Sequence, residues 1–378
     1  MHHAIFDKHL ERWLPGYVKQ RMTNAFERPP RDAQRAPGHV LFALCDHFEP
    51  FWRTTDRRTA LARVRAWTAR YPELARGHRD ADRRPPRHTF FFPGEDFDAR
   101  LIDELGTLAE GGFGELELHL HHEGDDESSL RARLARHVAE LAGAGHLGRG
   151  ADGRPRFAFI HGNWALANGR PDGRHCGVDA ELPLLFEAGC YCDFTFPAVP
   201  DVSQPNVVNS IYWPVGDLAA RRSYERQAPA RVGQSFRDRI LLIQGPLAIA
   251  RDARRRLPRL EYGALTANDP PARARVGAWI DQHVHVRGRP EWTFVKVHTH
   301  GAPELQAASL LGPGGAALHA ALRELSAERS FALHYVTARE MFNVAMAAMA
   351  GESGDPARYR DFVLAPPPRH GQRVARAT

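Results

Sequence analysis

Residues 115–123 read Glu-Leu-Glu-Leu-His-Leu-His-His-Glu, and few folds accommodate such a stretch. Successive side chains of a strand point to opposite faces, so Leu116, Leu118 and Leu120 share one face. Glu117, His119 and His121 share the other, and His122 and Glu123 follow at once. Ionisable groups along a buried strand need partners, because an unpaired charge away from water is costly. Two arrangements satisfy that requirement: an edge strand with a wetted polar face, or a strand whose polar face holds a divalent metal.

The rest of the chain supplies a setting. Apolar, β-like runs occur at 40–45, 89–92, 157–161, 191–196, 240–244, 293–298 and 331–335, and helical spacing falls between them. The spacing predicts helices at 59–71, 98–110, 178–188, 272–285, 316–325 and 337–350, with another after Ser128-Ser129 as the cap. Counting the opening stretch, eight strands alternate with helices. That rhythm means βα units around a parallel sheet. The expected fold is α/β, an irregular (β/α)7–8 barrel, with an open doubly wound sheet as the competitor. Residues 1–38 read as a helical extension broken at Pro15-Gly16, with a linker at Pro29-Pro30 and Pro37-Gly38. Residues 39–350 form the barrel, and 351–378 a partly disordered tail. One long interruption, 197–239, is rich in Pro and aromatics. It suggests a lid or substrate wall, with 211–213 as an extra strand.

Charge and cysteine content narrow the function. The net charge is +6, but only Lys8, Lys19 and Lys296 are lysines among 51 basic residues. Arginine abundant together with Ala, Gly and Pro points to composition bias more than to a polyanion partner. The densest run, Arg254-Arg255-Arg256, lacks interleaved aromatics, so nucleic-acid binding is not expected. Cys45, Cys176, Cys190 and Cys192 form no CxxC pair. They read as small buried residues, with a thiolate site at Cys190-x-Cys192 only weakly signalled. Asp7, Lys8, Glu11 and Arg12 interrupt any signal-peptide core, and no window reaches the length of a membrane span. A cytoplasmic protein with reduced thiols is the expectation.

In a parallel barrel, chemistry sits beyond the carboxyl ends of the strands. Here those ends carry Asp46-His47 with Glu49 beyond, Glu95-Asp96, the His119–His122 cluster, His161-Gly162-Asn163-Trp164, Gln244, and His298-Thr299-His300. Period two puts Lys296, His298 and His300 on one face. A single strand-end histidine signals little, but three such ends carrying them together point to a metal-assisted site. Imidazole and carboxylate donors suit zinc or another first-row divalent ion. Such an ion lowers the pKa of water and polarises a carbonyl, which is the chemistry of amide, ester or phosphoester hydrolysis. There is no G-x-S-x-G elbow, no P-loop, and no G-x-G-x-x-G following a strand.

Four stretches carry a resemblance: residues 43–50, 115–123, 176–197 and 297–301. Over residues 40–350 the chain resembles the polysaccharide deacetylase (NodB-like carbohydrate esterase) superfamily, in a bacterial branch found with surface-polysaccharide genes. The resemblance implies an irregular (β/α) barrel and metal-dependent removal of an N- or O-acyl group from a carbohydrate. It implies Asp46 as base and His298 as acid, with His300 in reserve. His47 stands where the family has a ligand aspartate. His119 matches the first ligand of the second motif, and His121, His122 or Glu123 completes the set. His161, Asn163, Trp164 and Trp213 would line the sugar site. Two other functions stay open: a metallo-phosphoesterase or amidohydrolase built on His119-x-His121, and a non-catalytic sugar-binding relative.

Overall fold

The computed structural model describes residues 9–27, 38–251 and 258–368. The proline linker, the Arg254–Arg256 run and the last ten residues of the expected tail lie outside them. The strands are β1 (Gly38–His47), β2 (His88–Pro93), β3 (Gly114–Leu120), β4 (Gly148–Arg149), β5 (Pro155–His161), β6 (Cys190–Asp193), β7 (Ile211–Pro214), β8 (Gln227–Pro229), β9 (Leu241–Ile243), β10 (Ala248–Arg251), β11 (Pro258–Glu261), β12 (Ala264–Leu265), β13 (Trp292–Thr299) and β14 (Phe331–Tyr335). The helices are α1 (Leu10–Glu27), α2 (Arg57–Arg76), α3 (Ala99–Glu110), α4 (Glu127–Gly143), α5 (Glu181–Ala188), α6 (Arg273–Ile280), α7 (Glu304–Leu310), α8 (Pro313–Arg329) and α9 (Ala338–Met349).

All eight expected strands are present, and they are mutually parallel. The main sheet runs β12-β13-β1-β2-β3-β5-β6-β9-β7-β8. β14 lies beside the first half of β1 and β2 beside the second. The expected extra strand at 211–213 is β7, which runs antiparallel to β9. No ladder joins β9 to β13 among the described residues, so hydrogen bonding does not close the sheet into a barrel. The two edges nevertheless approach. A Cβ on Gly245, just past β9, would sit 2.6 Å from the Lys296 carbonyl on β13. Lys296 Nζ also donates to the Phe196 carbonyl across the gap, at 3.1 Å.

Strand alternation sorts the core into two layers. Phe42, Leu44, Phe90, Leu116, Leu118, Leu120, Phe157 and Phe159 pack beneath α2, α3, α4, α5 and α8. Leu41, Ala43, Cys45, Phe91, Ala158, Ile160 and Phe294 pack on the opposite side against α9. Nearly every residue of α9 is buried, so the sheet is covered on both faces, as parallel sheets require. The charged face of β3 points toward α9. Arg339 of α9 donates to the Glu115 carboxylate through Nε at 3.1 Å and Nη2 at 2.9 Å. Arg87 approaches the same group at 3.5 Å. Glu117, pushed up to about 8 by burial, accepts from the Tyr191 hydroxyl at 2.5 Å and the Ala158 N–H at 2.6 Å.

Two local expectations need correcting. α1 is continuous through Pro15. The carbonyl that Pro15 leaves without an i+4 donor belongs to Glu11, and both residues are exposed, so water can satisfy it. α1 docks through Trp13 against Val199, Val208 and Leu247, with Gly16 so close to the Asn206 carbonyl that no side chain would fit. The cap of α4 is Asp126, with Ser129 as its capping-box partner rather than the cap itself. The tail folds back as far as Pro368: Asn343 of α9 bonds Leu364 in both directions, through N–H at 2.9 Å and carbonyl at 2.8 Å. No helix among the described residues is long and apolar enough to cross a membrane.

Candidate metal centre

The carboxyl ends of β1, β3 and β13 meet at one rim, and the group at its centre is Glu49. Three imidazole Nε2 atoms face its Oε1: His119 at 3.2 Å, His121 at 3.5 Å and His300 at 3.8 Å. The His47 ring completes the circle, with centroids 4.8 Å from His119 and 4.7 Å from His300. Two sets of three ligand atoms therefore share one carboxylate: His47, Glu49, His300 and Glu49, His119, His121.

Each ring is oriented by what its other nitrogen does. His119 is fully buried, and its Nδ1 lies 3.0 Å from the Ile160 carbonyl. A carbonyl only accepts, so Nδ1 carries the proton and the Nε2 lone pair is aimed at Glu49. Burial, with His121 beside it, pushes His119 down to about 3, so the ring is neutral. Two acceptors 3.2 Å apart then require a cation or a proton between them. In His121, Nδ1 donates to Glu95 at 2.6 Å, leaving Nε2 toward the centre. Burial opposes charge on His121, yet the Glu95 carboxylate outweighs it and raises the pKa. A carboxylate behind a histidine in this way is the usual support of a metal ligand.

His47 gives the clearest sign of a missing partner. It is buried, and neither ring nitrogen has a hydrogen-bond partner. Burial and the rings of His300, His119 and His298 hold it well below its ordinary pKa. A buried neutral imidazole without partners is costly, and a metal would resolve that cost. The donor set, imidazole nitrogen and carboxylate oxygen with no thiolate, fits zinc or another first-row divalent ion.

The other sequence-predicted residues divide. Asp46 lies on the face of β1 opposite His47, as adjacent strand residues must. Its oxygens accept the Gly301 N–H at 2.6 Å and contact His88 Nε2 at 2.9 Å. It thereby fixes the turn that carries His300. His298 is buried beside His47, ring centroids 6.0 Å apart, and burial with nearby Lys296 keeps it neutral. Glu123 faces outward to His175 at 3.4 Å and Arg174 at 3.8 Å. His161 is fully buried in a second cluster with His122. Asn163 and Trp164 are partly exposed on the turn after it, Trp164 in the left-handed region at φ 57°.

Trp213 sits far from the rim. It opens onto a cavity lined by Arg154, Arg156, Gly189 and Cys190, at the amino ends of β5 and β6. Phe236 is partly exposed beside Trp213, and the two tyrosines of 197–239 are core. Tyr212 and Tyr224 are fully buried and donate to the Tyr224 and Ser203 carbonyls, at 2.9 and 2.7 Å. They pack an antiparallel extension of the sheet rather than forming a wall.

The sequence placed Glu49, Glu95 and Asp96 at strand ends but assigned them no role. Asp96 has no hydrogen-bond or ion-pair partner among the described residues, and burial followed by Glu95 pushes it up to about 6. It is thus a carboxylate at the rim without a direct partner, near enough to His121 to help raise that ring's pKa. Trp52, 41 % exposed, lies 6.0 Å from the His300 ring. No protein-family model matches this chain, and no curated protein matches it in sequence.

Proposed function

We propose that this protein is a metal-dependent hydrolase of the deacetylase-like (β/α) barrel type, removing an N- or O-acyl group from a carbohydrate. The observation that carries the reading is the convergence of four neutral-capable imidazoles on the single Glu49 carboxylate at the strand ends. A divalent cation, zinc by its donor set, would there activate water and polarise an acyl carbonyl. His47, His119, His121, His300 and Glu49 would hold it. Asp96 is the better general base than Asp46, because it has no hydrogen-bond or ion-pair partner among the described residues, whereas Asp46 is held by Gly301 and His88. Asp46 is a positioning residue for Gly301 and His300. His298, as a neutral ring, donates a hydrogen bond to the acyl oxygen, and the proton that Asp96 takes from water passes to the leaving nitrogen or oxygen. Trp52 offers an exposed aromatic face at the rim for a sugar ring.

Glu49 shared between two ligand triads also favours a second version, a two-metal site with a bridging carboxylate, as in metallo-phosphoesterases and amidohydrolases. One experiment separates the cases. Zinc-loaded protein is assayed for acetate release from N-acetylated aminosugars and for phosphate release from phosphoesters, with metal content measured on wild type and Glu49→Ala. Acetate release lost in Glu49→Ala and in Asp96→Asn supports the deacylase, and the equivalents of metal lost give the nuclearity. Acetate release unaffected by Glu49→Ala would end the proposal.

A further inference from the structure

Behind the rim lies a second set of metal-ligating side chains. His122, His161, Cys176 and Glu181 each place one donor atom within 4.8 Å of the others, and all four are buried. We propose that they form a structural zinc site, separate from the rim.

The spacings fit tetrahedral coordination. Bonds of 2.0–2.3 Å at the tetrahedral angle put neighbouring ligand atoms roughly 3.3–3.6 Å apart. Glu181 Oε1 lies 3.2 Å from His122 Nε2 and 3.9 Å from His161 Nε2, and Cys176 Sγ completes a set of four donor atoms within 4.8 Å of one another. His161 Nε2 has no hydrogen-bond partner, although the residue is fully buried. Supporting groups surround the cluster. His122 Nδ1 faces Asp125 at 3.2 Å, and Asp125 is held by the Ser129 hydroxyl at 2.7 Å and Arg133 at 3.2 Å. Cys176 Sγ accepts the Val178 N–H at 3.4 Å, which orients the sulfur. Glu181 Oε2 accepts the Ala167 N–H at 2.6 Å, leaving Oε1 for the centre. One contact works against ligation: the Asn163 N–H reaches His161 Nδ1 at 3.3 Å, and binding through Nε2 would give that nitrogen the proton. At that length the contact is weak and small relative to a metal bond.

The position of the cluster explains its use. Residues 162–180 contain only a single short 3-10 turn, and Trp164, Ala167, Asn168 and His175 all adopt positive φ. Non-glycine residues in that region cost energy and persist only where the surroundings hold them. A metal would join the loop after β3, the end of β5, the irregular segment and the start of α5. It would also fix His122, the neighbour of the rim residue His121.

The competing account needs no metal: a protonated His122 held between Glu181 and Asp125. Cobalt(II) distinguishes them, because the rim set holds no thiolate. Protein expressed in cobalt-supplemented medium should show a sulfur-to-cobalt charge-transfer band in the near ultraviolet. Cys176→Ser should abolish it and remove one equivalent of metal, whereas Glu49→Ala should leave it intact. Absence of the band from cobalt-loaded wild type, or its survival in Cys176→Ser, overturns the proposal. The wild-type spectrum decides even where the Cys176 variant fails to fold, and it does so whether or not the rim proves catalytic.

Discussion

Glu95 touches no expected substrate, and its replacement tests the rim most directly. Its carboxylate receives the His121 Nδ1–H at 2.6 Å and the His121 backbone N–H at 3.1 Å. Glu95→Gln keeps an acceptor oxygen of similar shape but removes the charge, and charge-assisted hydrogen bonds are about twice as strong as neutral ones. Glu95→Ala removes the acceptor entirely. Replacing a partner behind a metal-bound histidine costs about 10–100-fold in affinity. Glu95→Gln should fall near tenfold, about 1.4 kcal/mol, and Glu95→Ala near 100-fold, about 2.7 kcal/mol. The assay is competition for zinc against a chelator of known affinity. The pH dependence carries a sign. Glu95 raises the pKa of His121, so in wild type a proton competes with the metal as pH falls through that raised value. Glu95→Gln relieves the competition, and its affinity deficit should therefore narrow toward acid. Wild-type affinity in both variants, or a deficit that widens as pH falls, would refute the assignment of His121 as a ligand oriented by Glu95.

Two further predictions concern the charged core at the opposite end of the sheet. Arg339→Met leaves the Glu115 carboxylate buried beside only Arg87 and Thr337, and breaking such a pair costs about 3–5 kcal/mol. With an unfolding entropy of about 0.8 kcal/mol/K for a chain this long, Tm should drop by about 4–6 °C. Adding Glu115→Gln should restore most of the loss, and strict additivity in calorimetry would exclude the pair. Burial alone would raise Glu340, but Arg87, Arg360 and Arg339 override it and hold it down at about 2. A depressed carboxyl stabilises the fold above its unfolded pKa, and that contribution fades as pH falls from about 4.5 toward 2. Glu340→Gln should be less stable than wild type at pH 7 and should flatten the acid limb of the stability curve, as read by urea denaturation across pH.

Regular structure was legible where a period imposes itself. Alternation along β3 placed Leu116, Leu118 and Leu120 in the outer core and Glu117 and His119 on the inner face, as found. The same rule separates Asp46 from His47, since neighbours on a strand face opposite ways. The family resemblance assigned both to one site, and in the structure Asp46 holds Gly301 and His88. Glu49 and Glu95 lie past the strand ends, in a turn and a short 3-10 helix, where no period says which way a side chain points. Cys176 and Glu181 are harder still. They reach His122 and His161 across an irregular segment whose path depends on tertiary contacts. The aromatics of 197–239 misled for a different cause: Tyr212 and Tyr224 are amphipathic, and carbonyl partners for their hydroxyls let them be buried whole.

Residues 121–123 show how closely the rim and its support are joined. Sequence left His121, His122 and Glu123 competing for one ligand position, but the three go to three places. Where β3 ends at Leu120 the ladder stops constraining the chain, and each side chain follows the partner it can reach. His121 turns to Glu49 and Glu95, His122 to Glu181 and Asp125, and Glu123 outward to His175 and Arg174. His121 and His122 are joined by one peptide bond, and consecutive Cα atoms lie about 3.8 Å apart. Whatever fixes the His122 ring therefore fixes the origin of the His121 side chain. Ligand geometry must hold to about half an ångström for a metal site to function. Loosening the buried cluster should consequently weaken the rim without touching it. Cys176→Ser should lower rim metal affinity, whereas a change confined to Glu123, such as Glu123→Gln, should leave it unaltered.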